Sequence, residues 1–458
     1  MRFALIGLIS IASTPIAADD LSITIYGDNR ALIEDTRTLS FPAGRKRIEL
    51  PNVSSQIISP TVTFNADNIG IIEQNFDFDL LSPDKLMEKA VGQTVRIVRT
   101  NPATGAEKTE RVKVLAVNRG VVIQNGQRIE VLRDDGMPTR VIFDRVPPNL
   151  RAQPTLSIDV ESSQSGTRDA TLTYLSNGLN WRADYVALFD EAAGKMALQG
   201  WSTLTNNTDT TFENVKTQLV AGNITSSQNR SNNRPRGISS GSVRAGGTEA
   251  GDVERIGDNY LYTLPGRTTI ASNQTKQVSF VDADNVDAKK AYEYLASSFQ
   301  TQPQPQNVDV RIAFSNAENA GLGNPLPAGT IRVYTRDSLG KAQFVGEDSI
   351  GHTAGGSDLS LKIGEAFDVT SQATVKSRTN LNRRTTNTTM EYRIRNARPE
   401  AATVTLRQFV SSWRTDLKIL DENIEHRKPD ANSFVWDVDV PAEGETILQF
   451  TIQQKRRY

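Results

Sequence analysis

The sequence predicts an all-β protein built from several antiparallel β-sandwich or barrel modules, with one short helix and one long disordered loop. Three observations carry that expectation. Short runs of alternating apolar and polar residues recur from Leu21 to Ile452, broken by turn residues, and alternation at period two sends successive side chains to opposite faces of a strand. Long amphipathic helical patterns are missing. The 458 residues are 37% hydrophobic and 23% charged, a globular composition, and at about 150 residues per domain the length suggests roughly three domains.

Residues 1–18 read as a secretory signal, from the charged Met1-Arg2, the apolar run Phe3 to Ala12 and the small-residue end Ile16-Ala17-Ala18. Cleavage is expected after Ala18. The apolar run is shorter than the about 20 residues a spanning helix needs, and no later segment reaches that length, so no transmembrane span is expected. Residues 19–81 form an N-terminal β-domain, with strands at Leu21 to Ile25 and Arg45 to Leu50. Phe76-Asp77-Phe78-Asp79-Leu80 places aromatics on one face and carboxylates on the other.

Residues 82–146 read as a short helix followed by a small five-strand module of SH3-like or OB-like type. Ser82 is the N-cap, Pro83 takes the first helical position, Asp84 lies in the first turn, and Gly92 follows the end. Strands are expected at Thr94 to Arg99, Arg111 to Val117, Val121 to Gln124, Arg128 to Leu132 and Arg140 to Phe143. Asn125-Gly126 reads as a hairpin turn with positive φ at both central positions, and Asp134-Asp135-Gly136 marks another turn.

Residues 147–222 return to β-texture, with a hairpin of Trp181 to Phe189 and Lys195 to Leu204 turning near Glu191 to Gly194. Residues 223–259 are rich in Ser, Asn, Gly and Arg; they carry too little apolar surface to offset the entropy of ordering, and read as a flexible loop. Residues 260–458 form a C-terminal β-sandwich region with evenly spaced strands. Within it, Ala288 to Phe299 fits helix or strand on pattern alone.

Composition removes much chemistry. The balance of 52 basic against 53 acidic residues gives a net charge of −1, which offers no footprint for nucleic acid. The absence of cysteine excludes disulfides, thiolate metal sites and cysteine nucleophiles. Only His352 and His426 remain for histidine chemistry.

The surviving motifs read as structure rather than catalysis. Gly237-Ile238-Ser239-Ser240-Gly241 spells a nucleophile elbow but lacks the flanking strand and helix that lift such a serine. Gly321-Leu322-Gly323 begins like a dinucleotide fingerprint, yet Leu326 stands where the third glycine belongs, so it reads as a turn. Asp282 to Asp287, with Glu293 beyond, echoes a calcium loop, but Val286 has no ligand oxygen and Asp287 replaces the required glycine; it reads as a solvated acidic loop. The pairs Asp77/Asp79 and Asp437/Asp439 read as solvated carboxylates on strand faces. Trp181, Trp201, Trp413 and Trp436 read as core indoles. Lys455-Arg456-Arg457 reads as a solvated end.

Several segments together resemble a known family. They are Leu179-Asn180-Trp181-Arg182-Ala183-Asp184-Tyr185, Leu198-Gln199-Gly200-Trp201, Asn206-Asn207-Thr208, Phe212-Glu213-Asn214 and Gln218 to Gly222. Downstream follow Pro325 to Tyr334, Gly346-Glu347-Asp348-Ser349-Ile350-Gly351-His352-Thr353, Leu361 to Val369, Trp436-Asp437-Val438 and Ala442 to Thr446. The chain resembles the exported bacterial proteins around mucoidy inhibitor A, whose C-terminal half is a domain of unknown function. The likeness runs from about Thr155 to the C-terminus. Larger members carry a central coiled coil, whose place is taken here by the short helix and five-strand module. The resemblance implies a Gram-negative envelope setting, a strand at Tyr292-Glu293-Tyr294, and no established chemistry or catalytic residues.

The function expected on these grounds is that of a non-catalytic, exported, periplasmic or secreted protein binding a cell-envelope protein or polysaccharide. No catalytic residue, cofactor or metal is expected. The candidate binding loops are Asn206 to Thr210, Gly321 to Ala328 and Gly346 to Ala354, with Asn206, Asn207, Asn324, Glu347 and His352 as candidate binding residues. The alternative is a carboxylate-dependent hydrolase of cell-wall or capsule polysaccharide, which needs two acids brought together across a cleft. An outer-membrane barrel draws on the alternation of Leu448 to Ile452 and the terminal Tyr458, and is opposed by Lys455-Arg456-Arg457.

Overall fold

The computed structural model describes residues 20–77, 79–118, 120–132, 139–147, 150–222, 253–409, 415–430 and 433–456. The signal segment, Gly237 to Gly241, the turn Asp134-Asp135-Gly136 and Trp413 lie outside the described residues. Among the described residues the architecture is all-β, with the α-helix Pro83–Lys89 and two single 3-10 turns. No helix among them is long and apolar enough to cross a membrane.

The chain divides into two compact units. The first comprises the described residues through Trp181 together with Leu204–Val220 and Thr263–Lys276; the second comprises those of Arg182–Thr203, Ala221–Tyr262 and Gln277–Tyr458.

In the first unit Arg30–Phe41 shows how the alternation becomes a core. Its odd-numbered positions from Ala31 to Phe41 point inward and are buried. That apolar row is interrupted by Asp35 and Arg37, whose side chains are 5% and 4% exposed and form an ion pair. Arg37 donates from Nε to both Asp35 oxygens at 3.1 Å and from Nη2 to Oδ2 at 2.6 Å. Its Nη2 also donates to the Pro51 carbonyl at 2.9 Å. Arg30–Phe41 pairs antiparallel with Asp20–Tyr26 and with Gly166–Asn177. The strand Thr155–Ser162 lies between Gly44–Pro51 and Ile69–Asp77 in a three-stranded sheet.

The small module has its own sheet, in the order Thr139–Ile142, Thr94–Thr100, Glu107–Val117, Val121–Asn125, Arg128–Leu132. Ser82 caps the helix as expected, its Oγ accepting from the Lys85 N–H at 3.2 Å. Met87 and Ala90 fall three residues apart on one helix face and join Ile97, Val112, Val114 and Ile123 in the module core. The sheet curls far enough for the Arg99 guanidinium to donate to the Glu130 carboxylate. The hairpin corrects the expected turn: Asn125 still pairs with Arg128, so the loop is Gly126-Gln127. Positive φ falls on Gly126 alone, the requirement of a II′ turn rather than of the I′ turn that Asn125-Gly126 suggests.

In the second unit most strands join one branched sheet of thirteen. Its main core gathers Tyr392, Phe434, Trp436, Phe450 and their aliphatic neighbours. Trp436 stacks on Phe450 at 4.4 Å between ring centres, and Phe450 on Tyr392 at 5.9 Å. Tyr292 and Tyr294 lie in the strand Gln274–Ala296, resolving the ambiguous segment as extended.

Two expectations need correction. Residues 253–256, assigned to the flexible loop 223–259, form the strand Val253–Ile256, whose Val253 pairs with Tyr262 and Ile256 with Asn259. Gly257 supplies the positive φ of 60° that this hairpin requires. The acidic segment Asp282 to Asp287 is not a loop but part of the strand Gln274–Ala296, and an extended backbone cannot wrap its carboxylates round one ion. Lys195 pairs there with Asp287 at 2.5 Å. The sheets are mainly antiparallel, as expected, and hold three parallel pairs: Asp20–Tyr26 runs parallel to Phe212–Ala221, Leu179–Asp190 to Gly329–Arg336, and Gln274–Ala296 to Ala402–Phe409. Each pair is separated by enough chain to make the crossover that parallel strands demand.

Candidate binding sites

Two of the three expected loops meet. Leu326 and Thr353 exchange backbone hydrogen bonds at 2.8 and 2.9 Å. The fully buried Asn316 braces both segments from beneath, donating from Nδ2 to the carbonyls of Asn324 at 2.8 Å and Ala354 at 3.2 Å. A Cβ on Gly355 would stand 2.3 Å from the Gly323 carbonyl oxygen, so the glycines here serve close backbone approach. Asn324 contributes its carbonyl to this cluster. His352 is exposed, and its Nδ1 accepts the Ala328 N–H at 3.2 Å. Partial desolvation lowers its pKa below the ordinary histidine value. The neutral ring is also the form able to accept that bond.

Glu347 is exposed and pairs with Arg332 at 3.2 Å. Arg332 reaches Asp184 at 3.2 Å, and Asp184 also accepts from the Thr203 hydroxyl at 2.7 Å and from Arg182 at 3.0 Å. Burial works to raise the Asp184 pKa; the bonds from Thr203, Arg182 and Arg332 outweigh it and hold the carboxyl below its ordinary value.

The third loop, Asn206 to Thr210, belongs to the first unit. Asn206 is fully buried, which corrects its place among the exposed binding candidates. Its Nδ2 donates to the carbonyls of Thr210, Ala271 and Ile270, and its Oδ1 accepts from the N–H and hydroxyl of Thr208. Both ends of its amide are thus engaged in closing the loop. Asn207 is exposed, while its backbone N–H donates to Gly178 and its carbonyl accepts from Gln56.

The paired carboxylates are held by cations or hydroxyls. Asp437 and Asp439 are exposed on the strand Ser433–Val440. Asp437 bonds Arg427 at 2.9 Å and Thr405 at 2.8 Å; Asp439 accepts from Thr403 at 2.6 Å. Arg427 chiefly holds the Asp437 carboxyl below its usual range. Asp77 departs from expectation: it is half-buried and accepts from Ser157 at 2.7 Å. Asp79 lies beyond that strand and pairs with Lys89 at 2.5 Å. Of the indoles, Trp181 and Trp436 are core residues, their Nε1 groups donating to the Val220 carbonyl and to Glu422, whereas Trp201 is half-buried. Glu422 also accepts from His426 at 2.8 Å. Among the described residues no group of three His, Asp or Glu side chains is placed to hold a metal ion.

Two concave surfaces of the second unit carry residues that sequence reasoning did not single out. The first is a groove of about 490 Å³ walled by Phe189, Tyr292, Val345 and Phe367. Phe367 is 91% exposed. Lys290 and Arg398 lie over the Tyr292 ring at 5.4 and 5.7 Å, and Lys290 pairs with Glu191 at 3.1 Å. A neighbouring recess of about 510 Å³ shares Phe189, Glu191 and Thr335 with it. The groove thus combines aromatic faces with a few placed charges, the make-up of sites that orient a ligand. In the sequence, nothing in Ala366-Phe367-Asp368 marks the phenylalanine as outward-facing.

The second is a polar pocket of about 810 Å³ where the turn between Asp358–Asn380 and Thr385–Asn396 faces Phe299 and Gln300. Arg378, Arg383 and Arg384 line it. The adjacent arginines in Asn382-Arg383-Arg384 were a visible signal, but the residues facing them come from distant segments.

Residues 170–455 match the family described as Domain of unknown function (DUF4139). No curated protein matches the chain.

Proposed function

Starting from the fact that the chain belongs to the DUF4139 family, we propose that it is a non-catalytic exported protein of the bacterial envelope. In this reading it binds an envelope protein or polymer in the groove over Tyr292. It is further a short relative of the mucoidy inhibitor A-like proteins, lacking their coiled coil. The ordered segments from Leu179 to Thr446 support that kinship, and the N-terminal Met1 to Ala18 pattern supports export to the periplasm or beyond.

The observation that carries the binding assignment is Phe367, almost wholly exposed beside two further aromatic walls and a charged rim. Covering such a ring removes apolar surface from water, and aromatic anchors of this kind dominate the energetics of recognition surfaces. Glu191, Lys290 and Arg398 would orient whatever covers it.

The test places a photoreactive amino acid at position 367 in the expressing cell, with an exposed position on the small module, Lys108, as control. Adducts formed from 367 and absent from 108 support the groove; identical or absent adducts refute it. Cell fractionation with sequencing of the processed N-terminus tests export, the expected first residue being Asp19. Release of reducing ends from purified cell-wall or capsule material by the processed chain would replace this reading with the carboxylate-dependent hydrolase.

A further inference from the structure

We propose that the pocket lined by Arg378, Arg383 and Arg384 binds an anionic saccharide, its oxyanion held by the guanidinium groups and its hydroxyls by neighbouring amides. The pocket is separate from the groove over Tyr292, and this inference does not depend on that reading.

The charge distribution is the first ground. Arg393, Arg407 and Arg427 in the same sheet each have a carboxylate partner, Glu445, Glu293 and Asp437 respectively. Even Lys376, two residues before Arg378, pairs with Glu391 at 3.1 Å. Among the described residues none of Arg378, Arg383 and Arg384 has an ion-pair partner, and none of those lining the pocket is a carboxylate. Arg378 donates to the Phe299 carbonyl, which fixes one guanidinium against the wall. Arg383 and Arg384 are adjacent and exposed on the turn. Three like charges lining one pocket, without a counter-charge among the described residues, repel one another, and an oxyanion relieves that repulsion while accepting from the planar guanidinium fork.

The neutral lining decides the class of ligand. A bare phosphate chain would need donors alone. Here Asn380 and Asn382 commit their carbonyl oxygens locally, to the Thr386 hydroxyl at 2.8 Å and the Arg384 N–H at 2.9 Å, which leaves their NH₂ groups to donate. Gln300 and Gln454 supply whole amides, each with a donor and an acceptor. Hydroxyls both donate and accept, so this mixture suits a polyol ring. Phe299, half-buried at the pocket wall, offers an apolar surface for a sugar's C–H face. A volume of about 810 Å³ accommodates more than one ring.

The experiment is titration calorimetry on the processed full chain with tri-galacturonate, glucose 6-phosphate, neutral maltotriose and inorganic tripolyphosphate. Either anionic sugar should bind at least tenfold more tightly than maltotriose, and comparison of the two tells a carboxylate source from a phosphate one. The double variant Arg383→Gln/Arg384→Gln should weaken that binding at least tenfold with an unchanged melting temperature, because both side chains are exposed. Phe367→Ser, in the separate groove, should leave it unaltered. Equal binding of maltotriose, no binding of either anionic sugar, or full affinity in the double variant would overturn the proposal. Tripolyphosphate bound as tightly as the sugars would overturn its saccharide part.

Discussion

Replacing Arg37 with methionine tests how the first unit tolerates charge in its core. The substitution keeps most of the side-chain volume but removes all three hydrogen bonds to Asp35 and the one to the Pro51 carbonyl. The Asp35 side chain, 5% exposed, would be left in the apolar row between Ile33 and Leu39 without a cation. Breaking a buried pair from one side costs about 3–5 kcal/mol, because the remaining charge is uncompensated. Removing both charges is a different matter. Arg37 Nη1 is buried without a hydrogen-bond partner, so the pair is incompletely satisfied, and apolar replacement of both residues should be close to neutral. Urea unfolding followed by tryptophan fluorescence on wild type, Arg37→Met, Asp35→Leu and the double variant closes the cycle. A single-variant loss below about 1 kcal/mol, the range of a surface pair, would refute this reasoning. So would a double variant as unstable as Arg37→Met.

Other expectations follow from the same geometry. Glu422 is pushed up by burial but held below the ordinary glutamate pKa by bonds from His426 and Trp436; its contribution to stability is therefore complete above that ordinary value and lost as pH falls through the folded-state pKa. Glu422→Gln should remove this part of the acid dependence, as read from melting temperature against pH. Gly346→Ala should destabilise the strand Ala342–Ile350, since the glycine has φ of 153° and an added Cβ would lie 1.9 Å from the Ile363 carbonyl oxygen; backbone strain alone costs about 1–3 kcal/mol, and hydrogen exchange across that strand reports it. Asn206→Ala should cost at least about 2 kcal/mol in chemical unfolding, because it strands buried carbonyls and a buried N–H. Ser82→Ala should cost about 1 kcal/mol through the lost helix cap, measurable by thermal melting.

The sequence displayed its strands wherever one face is core and the other is solvent. Trp436 to Val440 and Met390 to Arg395 alternate cleanly and fold as that alternation says. The helix was legible because its start and stop are chemical, in Ser82, Pro83 and Gly92. Other strands were hidden because their surroundings are not of that kind. Ala342–Ile350 has no fully buried position, so it lacks the contrast that reveals a strand. Asp282 to Asp287 looked like a loop because the partners of Asp282 and Asp287, Gln199 and Lys195, come from another strand and not from local turns. Asn206 read as a surface asparagine, since a side-chain amide bracing distant carbonyls has the same spelling as one facing water. The groove was not readable, and of the arginine pocket only the adjacent Arg383 and Arg384 were: each assembles side chains from segments whose proximity only the pairing of strands creates.

The parallel register of Asp20–Tyr26 with Phe212–Ala221, in which Ser22 lies opposite Lys216, bears on how the molecule comes into being. The Asp20–Tyr26 strand, made long before Phe212–Ala221, finds its antiparallel neighbour at once but waits for that far later one, and such distant contacts slow folding. In the interval one edge offers its N–H and C=O groups to any extended chain, an invitation to aggregate. Fragments ending before the Phe212–Ala221 strand should therefore be recovered as insoluble material, however intact their own strands.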